Sequence, residues 1–353
     1  MNFRSDNVAG AHPAILAALA RGAEGKVDSY GADPATARVV EALSEAFETK
    51  VSAFPVATGS AANALALACA VPPWGAIYCH EEAHIETDEC GAPEFFTAGA
   101  KIVKVPGAHG RIDPATLEAM LEAAPIGDVH SVQPAALSLT NGTEAGTVYT
   151  PEQVSELSAI ARRHGLFVHM DGARFANAVA ALGCTPADVT WRAGVDALSF
   201  GATKNGCLAA EAVVFFKPDA ARDREFCYRR KRAGHLFSKM RFLSVQLEAY
   251  LAGGLWLENA GHANAQARRL ADGLSGLPGV ALAHPVEINE LFVHLPAPLL
   301  TALDAAGVRV GRWDAETVRM VTAFDTEPAD VDRLLAILRA AAQPVVMQAP
   351  GEI

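Results

Sequence analysis

At 353 residues the chain exceeds the usual size of a single domain, so one large domain and one smaller one are expected. A 51% hydrophobic and 20% charged composition excludes a disordered polymer, and a formal charge of −11 leaves no cationic excess for sequence-independent binding to nucleic acid. No apolar run reaches membrane-spanning length, and Met1-Asn2-Phe3-Arg4-Ser5-Asp6 lacks the basic-then-apolar order of a signal peptide, which makes the cytoplasm the expected location. Six cysteines without a CxxC pair suit reduced thiols.

In chain order, residues 1–30 read as an amino-terminal arm with a short helix around the apolar run 15–19. Asp33-Pro34 is a good helix start, and Val39, Leu43 and Phe47 repeat at helical spacing within a helix expected over 35–48. From there helices are expected at 59–70, 114–123 and 151–164, with strands at 76–79, 101–105, 135–139, 166–170, 197–200 and 212–216 and a short turn or helix at 188–192. Apolar strands alternating with helices predict an α/β large domain over 31–254, built on a mainly parallel sheet covered on both faces. Arg229-Arg-Lys-Arg232 has the ordinary reading of a solvated basic face. Helices at 240–250 and 255–274 lead into strands at 291–295, 308–311 and 317–323 and helices at 298–306 and 329–341, which predict a small α+β domain over 255–342. Residues 343–353 read as a loosely held tail.

Three polar groups stand where parallel α/β folds face their ligands, at strand carboxyl ends and helix amino ends. Asp171 follows Leu-Phe-Val-His-Met, Lys204 follows Ala-Leu-Ser-Phe-Gly-Ala-Thr, and Thr58-Gly59-Ser60 opens an apolar helix. Taken singly, each has an ordinary reading: a capping Asp, a solvated turn Lys, a helix start. Taken in order, they match the needs of pyridoxal 5'-phosphate (PLP). That cofactor requires an amine for an imine, an acid at its pyridine nitrogen and an anion nest for its phosphate. Lys204 would be the amine, Asp171 the acid, and the amides of Gly59, Ser60 and Ala61 with the Ser60 hydroxyl the nest. The Cys79-His80, His84 and Cys90 group has no strong zinc spacing, so no metal is expected.

Further stretches carry a resemblance: Arg4-Ser-Asp-Asn7, Tyr30-Gly-Ala-Asp33, Thr58-Gly-Ser-Ala-Ala-Asn63, Glu82-Ala-His84, His169-Met-Asp-Gly-Ala-Arg174, Ser199-Phe-Gly-Ala-Thr-Lys-Asn-Gly206, Arg230-Lys-Arg-Ala-Gly-His235 and Val318-Arg-Met-Val321. The chain resembles the threonine aldolase family of fold-type I PLP enzymes, on its low-specificity L-threonine aldolase and phenylserine aldolase side. The resemblance implies an aspartate-aminotransferase-like fold and aldol cleavage of a β-hydroxy-α-amino acid, of phenylserine or threonine type, to glycine and an aldehyde. It implies that Lys204 holds the cofactor, that Asp171 pairs with the pyridine nitrogen and that His84 stacks on the ring. It further implies that Thr58, Gly59 and Ser60 hold the phosphate and that Arg174 and Arg319, with Ser5 of the arm, hold the substrate carboxylate. Arg241 resembles an arginine that reaches the phosphate of a neighbouring subunit, which implies a homodimer or homotetramer with its active site at the subunit interface.

The chain departs from the family pattern twice. Asn141-Gly-Thr-Glu-Ala-Gly146 stands where many relatives carry Asn-Thr-His-Asn-Gly, and the missing histidine leaves Glu144 or Thr143 as substitutes at the β-hydroxyl. Residues 230–241 are longer than the usual glycine-rich stretch and bring His235, Phe237 and Lys239, which could reshape the side-chain pocket. Fold alone does not separate aldol cleavage from PLP-dependent β-elimination, racemisation or transamination. A non-catalytic structural or regulatory role would show as loss of the lysine or the acid, and both are present.

Overall fold

Helix α1 (Pro13–Gly22) and helix α2 (Pro34–Ala46) each begin at a proline that follows a capping side chain. His12 accepts from the Ala14 amide and Asp33 from the Thr36 amide. The computed structural model describes residues 1–342, so the expected tail lies outside the described residues. Along the chain come β1 (Ser52–Val56), α3 (Gly59–Ala68), β2 (Gly75–His80), α4 (His84–Thr87), α5 (Ala92–Phe96), β3 (Lys101–Val105), α6 (Pro114–Glu122), β4 (Gln133–Thr140) and α7 (Pro151–Arg163). They are followed by β5 (Phe167–Gly172), α8 (Phe175–Leu182), β6 (Ala197–Gly201), β7 (Glu211–Phe215), α9 (Ala220–Arg232), α10 (Arg241–Leu251) and α11 (Leu255–Leu274). The last elements are β8 (Ala281–Leu282), β9 (Glu290–His294), α12 (Ala297–Ala305), β10 (Gly311–Arg312), β11 (Thr317–Val321) and α13 (Pro328–Ala342).

Seven strands form one sheet in the order β1-β7-β6-β5-β4-β2-β3. The run β3, β2, β4, β5, β6 is parallel, whereas β7 is antiparallel to both β6 and β1. Parallel pairing puts the carboxyl ends of β4, β5 and β6 on one edge: Thr140 pairs with Asp171, and Asp171 with Ser199. Glu211 opens β7 at the same edge, paired with Gly201 and with Val56 at the end of β1. Strands β2, β6 and β7 are buried at every position, as expected of a sheet covered on both faces. Phe47, Phe175, Phe200 and Tyr250 are fully buried and, with Trp256, form an aromatic cluster beneath the site edge. Each such side chain contributes about 1.5–3 kcal/mol by leaving water.

A second, four-stranded antiparallel sheet in the order β10-β11-β9-β8 packs Leu291, Val293, Val318 and Met320 against α11, α12 and α13. Phe3 joins that core, because the amino-terminal arm is stitched to it. The Phe3 amide donates to the Arg309 carbonyl at 2.7 Å, and the Val321 amide donates to the Phe3 carbonyl at 2.8 Å. The arm therefore bridges to Arg309, within the stretch 308–311 where a strand was expected, and the regular strand there is only Gly311–Arg312.

Several further segments differ from the sequence expectations, among them the short elements α4, α5 and β8, which were not expected. Strand β1 contains Pro55 and was not expected as a strand; it lies at the sheet edge, where a missing amide donor is tolerated. Helices α8 and α9 were also not anticipated. The basic run ends α9, where cations complement the helix dipole; Lys231 and Arg232 are exposed as a solvated face would have them, and only Arg230 departs from that reading. Arg230 is buried, with its guanidinium 5.5 Å from the Phe54 ring and donating to the Pro55 carbonyl. Among the described residues no helix is long and apolar enough to cross a membrane.

Candidate active site

A cavity of about 300 Å³ opens at the carboxyl-end edge of the large sheet, and Thr58, Gly59, Ser60, His84, Asp171, Arg174 and Lys204 all line it. They arrive from five places: the start of α3, α4, the end of β5, the start of α8 and the turn after β6. Lys204 sits in the short turn Thr203–Asn205 just after β6. That turn is anchored by Asn205, whose amide donates to the Tyr250 hydroxyl at 2.7 Å and the Trp256 carbonyl at 2.8 Å. Gly201 is required before it, since a Cβ there would meet the Gly172 and Ala173 carbonyls at 2.6 Å.

Asp171 is held by two donors, the Ala173 amide at 2.9 Å and the Asn63 amide group at 2.7 Å. Asn63 also donates to Glu89 at 2.8 Å, and Glu89 accepts from His84 Nδ1 at 2.9 Å. This carboxylate–amide–carboxylate–imidazole relay ties three walls of the cavity together. The Glu89 hydrogen bond raises the proton affinity of His84 against the opposing effect of burial. Asn63 stood within a quoted stretch but Glu89 had no local signal, because a glutamate after a short helix looks solvated.

The first turn of α3 is partly used by the protein itself. Thr58 accepts from the Ala61 amide at 3.2 Å, so Ala61 is not free for an anion as expected, whereas Gly59 and Ser60 keep first-turn amides beside the cavity. A Cβ at Gly59 would meet nothing within 4 Å, so the helix end is open to a ligand. Buried polar atoms in the wall, Asn63 Oδ1, Glu89 Oε2 and Glu144 Oε2, have no partner among the described residues. An amine, an oriented acid and an open helix amino end around one cavity fit PLP.

Arg174 keeps a side chain 10% exposed and is already paired. Asp6 accepts from its Nε at 2.8 Å and its Nη2 at 3.2 Å, and Glu290 lies 3.2 Å from Nη1. Burial works against the Asp6 charge, but Arg174 and Lys204 more than offset it and hold the carboxyl below its ordinary range. A guanidinium has five N–H donors, so the Asp6 and Glu290 contacts leave donors for a ligand. Arg319 does not line the cavity; it lies 3.4 Å from Glu290 and donates to the Arg4 carbonyl. Ser5 faces a separate surface hollow and caps the Asp6–Val8 turn, and from the arm it is Asn7 that lines the cavity. Arg241 opens α10, reaches the Gly25 carbonyl at 3.4 Å and lies outside its own chain's cavity.

Two further carboxyls stand in the wall: Glu211, which the sequence did not point to, and Glu144, named from the sequence only as a substitute at the β-hydroxyl. Glu211 lines the cavity beside Lys204 and accepts from the Ala202 amide; burial lifts its pKa to about 7 although Thr203, Ala202 and the Lys204 charge pull it down. Glu144 also lines the cavity, and burial and the Asp171 charge lift it to about 7. No residue of 230–241 lines it: His235 accepts from the Ala57 amide and Phe237 is exposed, so this segment does not shape the pocket of its own chain.

The family described as beta-eliminating lyases matches residues 2–298. A low specificity L-threonine aldolase of Pseudomonas aeruginosa is 43% identical over 338 residues, covering 96% of each chain. The chain belongs to the threonine aldolase family of fold-type I PLP enzymes. A second low specificity L-threonine aldolase, of a Pseudomonas species, is 43% identical over 96% of this chain and 97% of its own. The structure of the Leishmania major threonine aldolase superposes with a TM-score of 0.88 at 29% identity, covering 97% of this chain and 99% of that one. PLP is accordingly the cofactor of this threonine aldolase family member.

Proposed function

We propose that this cavity binds PLP and a β-hydroxy-α-amino acid and cleaves the latter to glycine and an aldehyde. The observation that carries this reading is the convergence of Lys204, Asp171 and the open amino end of α3 on one cavity. Lys204 would hold the cofactor covalently, Asp171 would keep a proton on its pyridine nitrogen, and Gly59 and Ser60 would donate to its phosphate. His84 would cover the ring. When bound, PLP supplies the electron sink that lets a Cα–Cβ bond break.

The protein's own groups orient the substrate. Arg174 has donors to spare for a carboxylate, and a planar fork fixes its direction. Arg319, and Ser5 beside the arm, would approach it only by a shift from the positions described. Asn63 keeps the Asp171 carboxylate aimed by holding one oxygen while the Ala173 amide holds the other. His84, with a raised proton affinity, carries positive charge more readily than an isolated imidazole, which favours a donor role in the pocket. The enzyme would act as a homodimer or homotetramer. The Arg241 Nε is buried without a partner among the described residues, in keeping with a role toward a neighbouring subunit.

The reaction and the side-chain preference are tested together by incubating holoenzyme with stereochemically defined isomers of phenylserine and threonine. Aldehyde and glycine should appear in equal amounts, with benzaldehyde from phenylserine formed faster than acetaldehyde from threonine. Release of a keto acid and ammonia would replace this reading with β-elimination.

A further inference from the structure

We propose that Glu144 is the general base that removes the β-hydroxyl proton, an inference that rests on the aldolase reading above. Residues 141–147 form a turn closed on itself. The Thr143 amide donates to the Thr147 carbonyl at 2.8 Å, the two threonine hydroxyls bond at 2.8 Å, and the Gly146 amide donates to the Thr143 carbonyl. Thr147 pins the turn to the His109 carbonyl at 2.7 Å. Gly146 takes φ +77° with its α-carbon against the Glu290 backbone, where a Cβ would lie 2.4 Å from the carbonyl oxygen. Thr143 is thereby turned inward and fully buried, away from the cavity. Glu144, the next residue, lines it and is the turn's one side chain that does so.

The two carboxyl oxygens of Glu144 have different surroundings. Oε1 accepts from the His84 amide at 2.8 Å and the Thr140 hydroxyl at 2.9 Å, which fixes the group. Oε2 is buried with no partner among the described residues. Of the other candidates in the cavity, Glu89 also keeps an unpartnered Oε2, but its Oε1 holds both Asn63 and His84; the rest are committed. Both Asp171 oxygens accept hydrogen bonds, and His84 Nδ1 is engaged with Glu89, which favours its protonated form. Glu211 accepts from the Ala202 amide and from Thr203 of the lysine turn. A base works best with a pKa near the working pH, and burial with the Asp171 charge brings Glu144 to about 7. The titratable groups around it are Asp171 on β5, Arg174 after it, His84 on α4, Cys79 on β2 and Tyr149. Burial keeps the last two protonated at neutral pH.

In the step, the O–H bond breaks and its proton goes to Oε2. The freed pair becomes the second bond of the aldehyde carbonyl as Cα–Cβ breaks, and the pair from that bond stays with the glycine fragment. One proton then returns to Cα, so aldehyde and glycine together hold every atom of the substrate.

Glu144→Gln tests this, because an amide oxygen can still accept from His84 and Thr140 but cannot take a proton. Aldehyde release from phenylserine should fall about 10²- to 10⁴-fold in kcat. The acid limb of the kcat/KM profile near pH 7 should disappear. The cofactor absorption, its response to added glycine and the exchange of a glycine α-proton with solvent should each stay within about threefold, since none of them involves a β-hydroxyl. A kcat within about threefold of wild type, or an acid limb that survives the substitution, would overturn the proposal. So would an equal loss of glycine binding and exchange, which would make Glu144 a support for the cofactor. Should Glu144→Gln lose the cofactor, Glu144→Asp decides: slower cleavage with the acid limb kept supports the base, and a missing limb or unimpaired cleavage refutes it. Wild-type enzyme that releases no aldehyde would instead sink the aldolase reading itself.

Discussion

Replacing Lys204 with alanine should abolish the visible absorption of the protein-bound cofactor and lower aldehyde release by on the order of 10³-fold or more, as removal of a covalent-catalysis group does. The substitution should leave the fold intact. The turn that carries Lys204 is held by the bonds of Asn205 to Tyr250 and Trp256, and by the close packing of Gly201 on the Gly172 and Ala173 carbonyls. A loss of absorption with an unchanged denaturant midpoint is therefore expected. Unaltered absorption would mean that another lysine carries the cofactor.

The second large effect is expected at Asp171. In Asp171→Asn the side-chain oxygen can still accept the Ala173 amide, but the negative charge that favours a protonated pyridine nitrogen is gone. Turnover should drop by about 10²-fold or more, since an opposite charge in contact shifts a proton equilibrium by about 1–3 pKa units. The same substitution places an amide group beside the Asn63 donor that Asp171 now accepts, so some loss of stability is expected as well. The informative result is the ratio: kcat falling far more than cofactor occupancy or denaturant midpoint. Near-normal kcat with full occupancy would remove the proposed role.

Most strands of the large sheet, and the placing of Asp171 and Lys204 at strand ends, were legible because they depend on local pattern. Apolar runs such as 166–170 and 197–200 end abruptly at Asp171 and shortly before Lys204, and parallel pairing then brings those ends to one edge. What was not legible depends on partners distant in the chain. Residues 52–56, with Pro55 among them, were not expected as a strand; they become one at the sheet edge by pairing with β7, about 160 residues away. Arg230 looked solvated because Phe54 and the Pro55 carbonyl, which bury it, lie about 175 residues away. Glu290 gave no hint of standing between Arg174 and Arg319, since that depends on β9 and the end of β5 meeting.

The site shows the same division. The family pattern pointed to Ser5, Arg174 and Arg319 together, but only Arg174 lines the cavity; Glu290 lies between the two arginines, Asp6 pairs with Arg174, and Asn7 lines the cavity in place of Ser5. The anion nest lost one donor to Thr58, a competition that a Thr-Gly-Ser string cannot reveal. Conversely, the absent histidine was visible as a departure, and the structure turns that departure into a buried carboxyl at the cavity wall.

The most direct test of the account is to reduce the holoenzyme with borohydride, digest it and locate the pyridoxyl group by mass spectrometry. The group should be found on the peptide containing Lys204, in one equivalent per chain. A label on any other lysine, or none in protein with full cofactor absorption, would contradict the assignment on which the proposed chemistry depends.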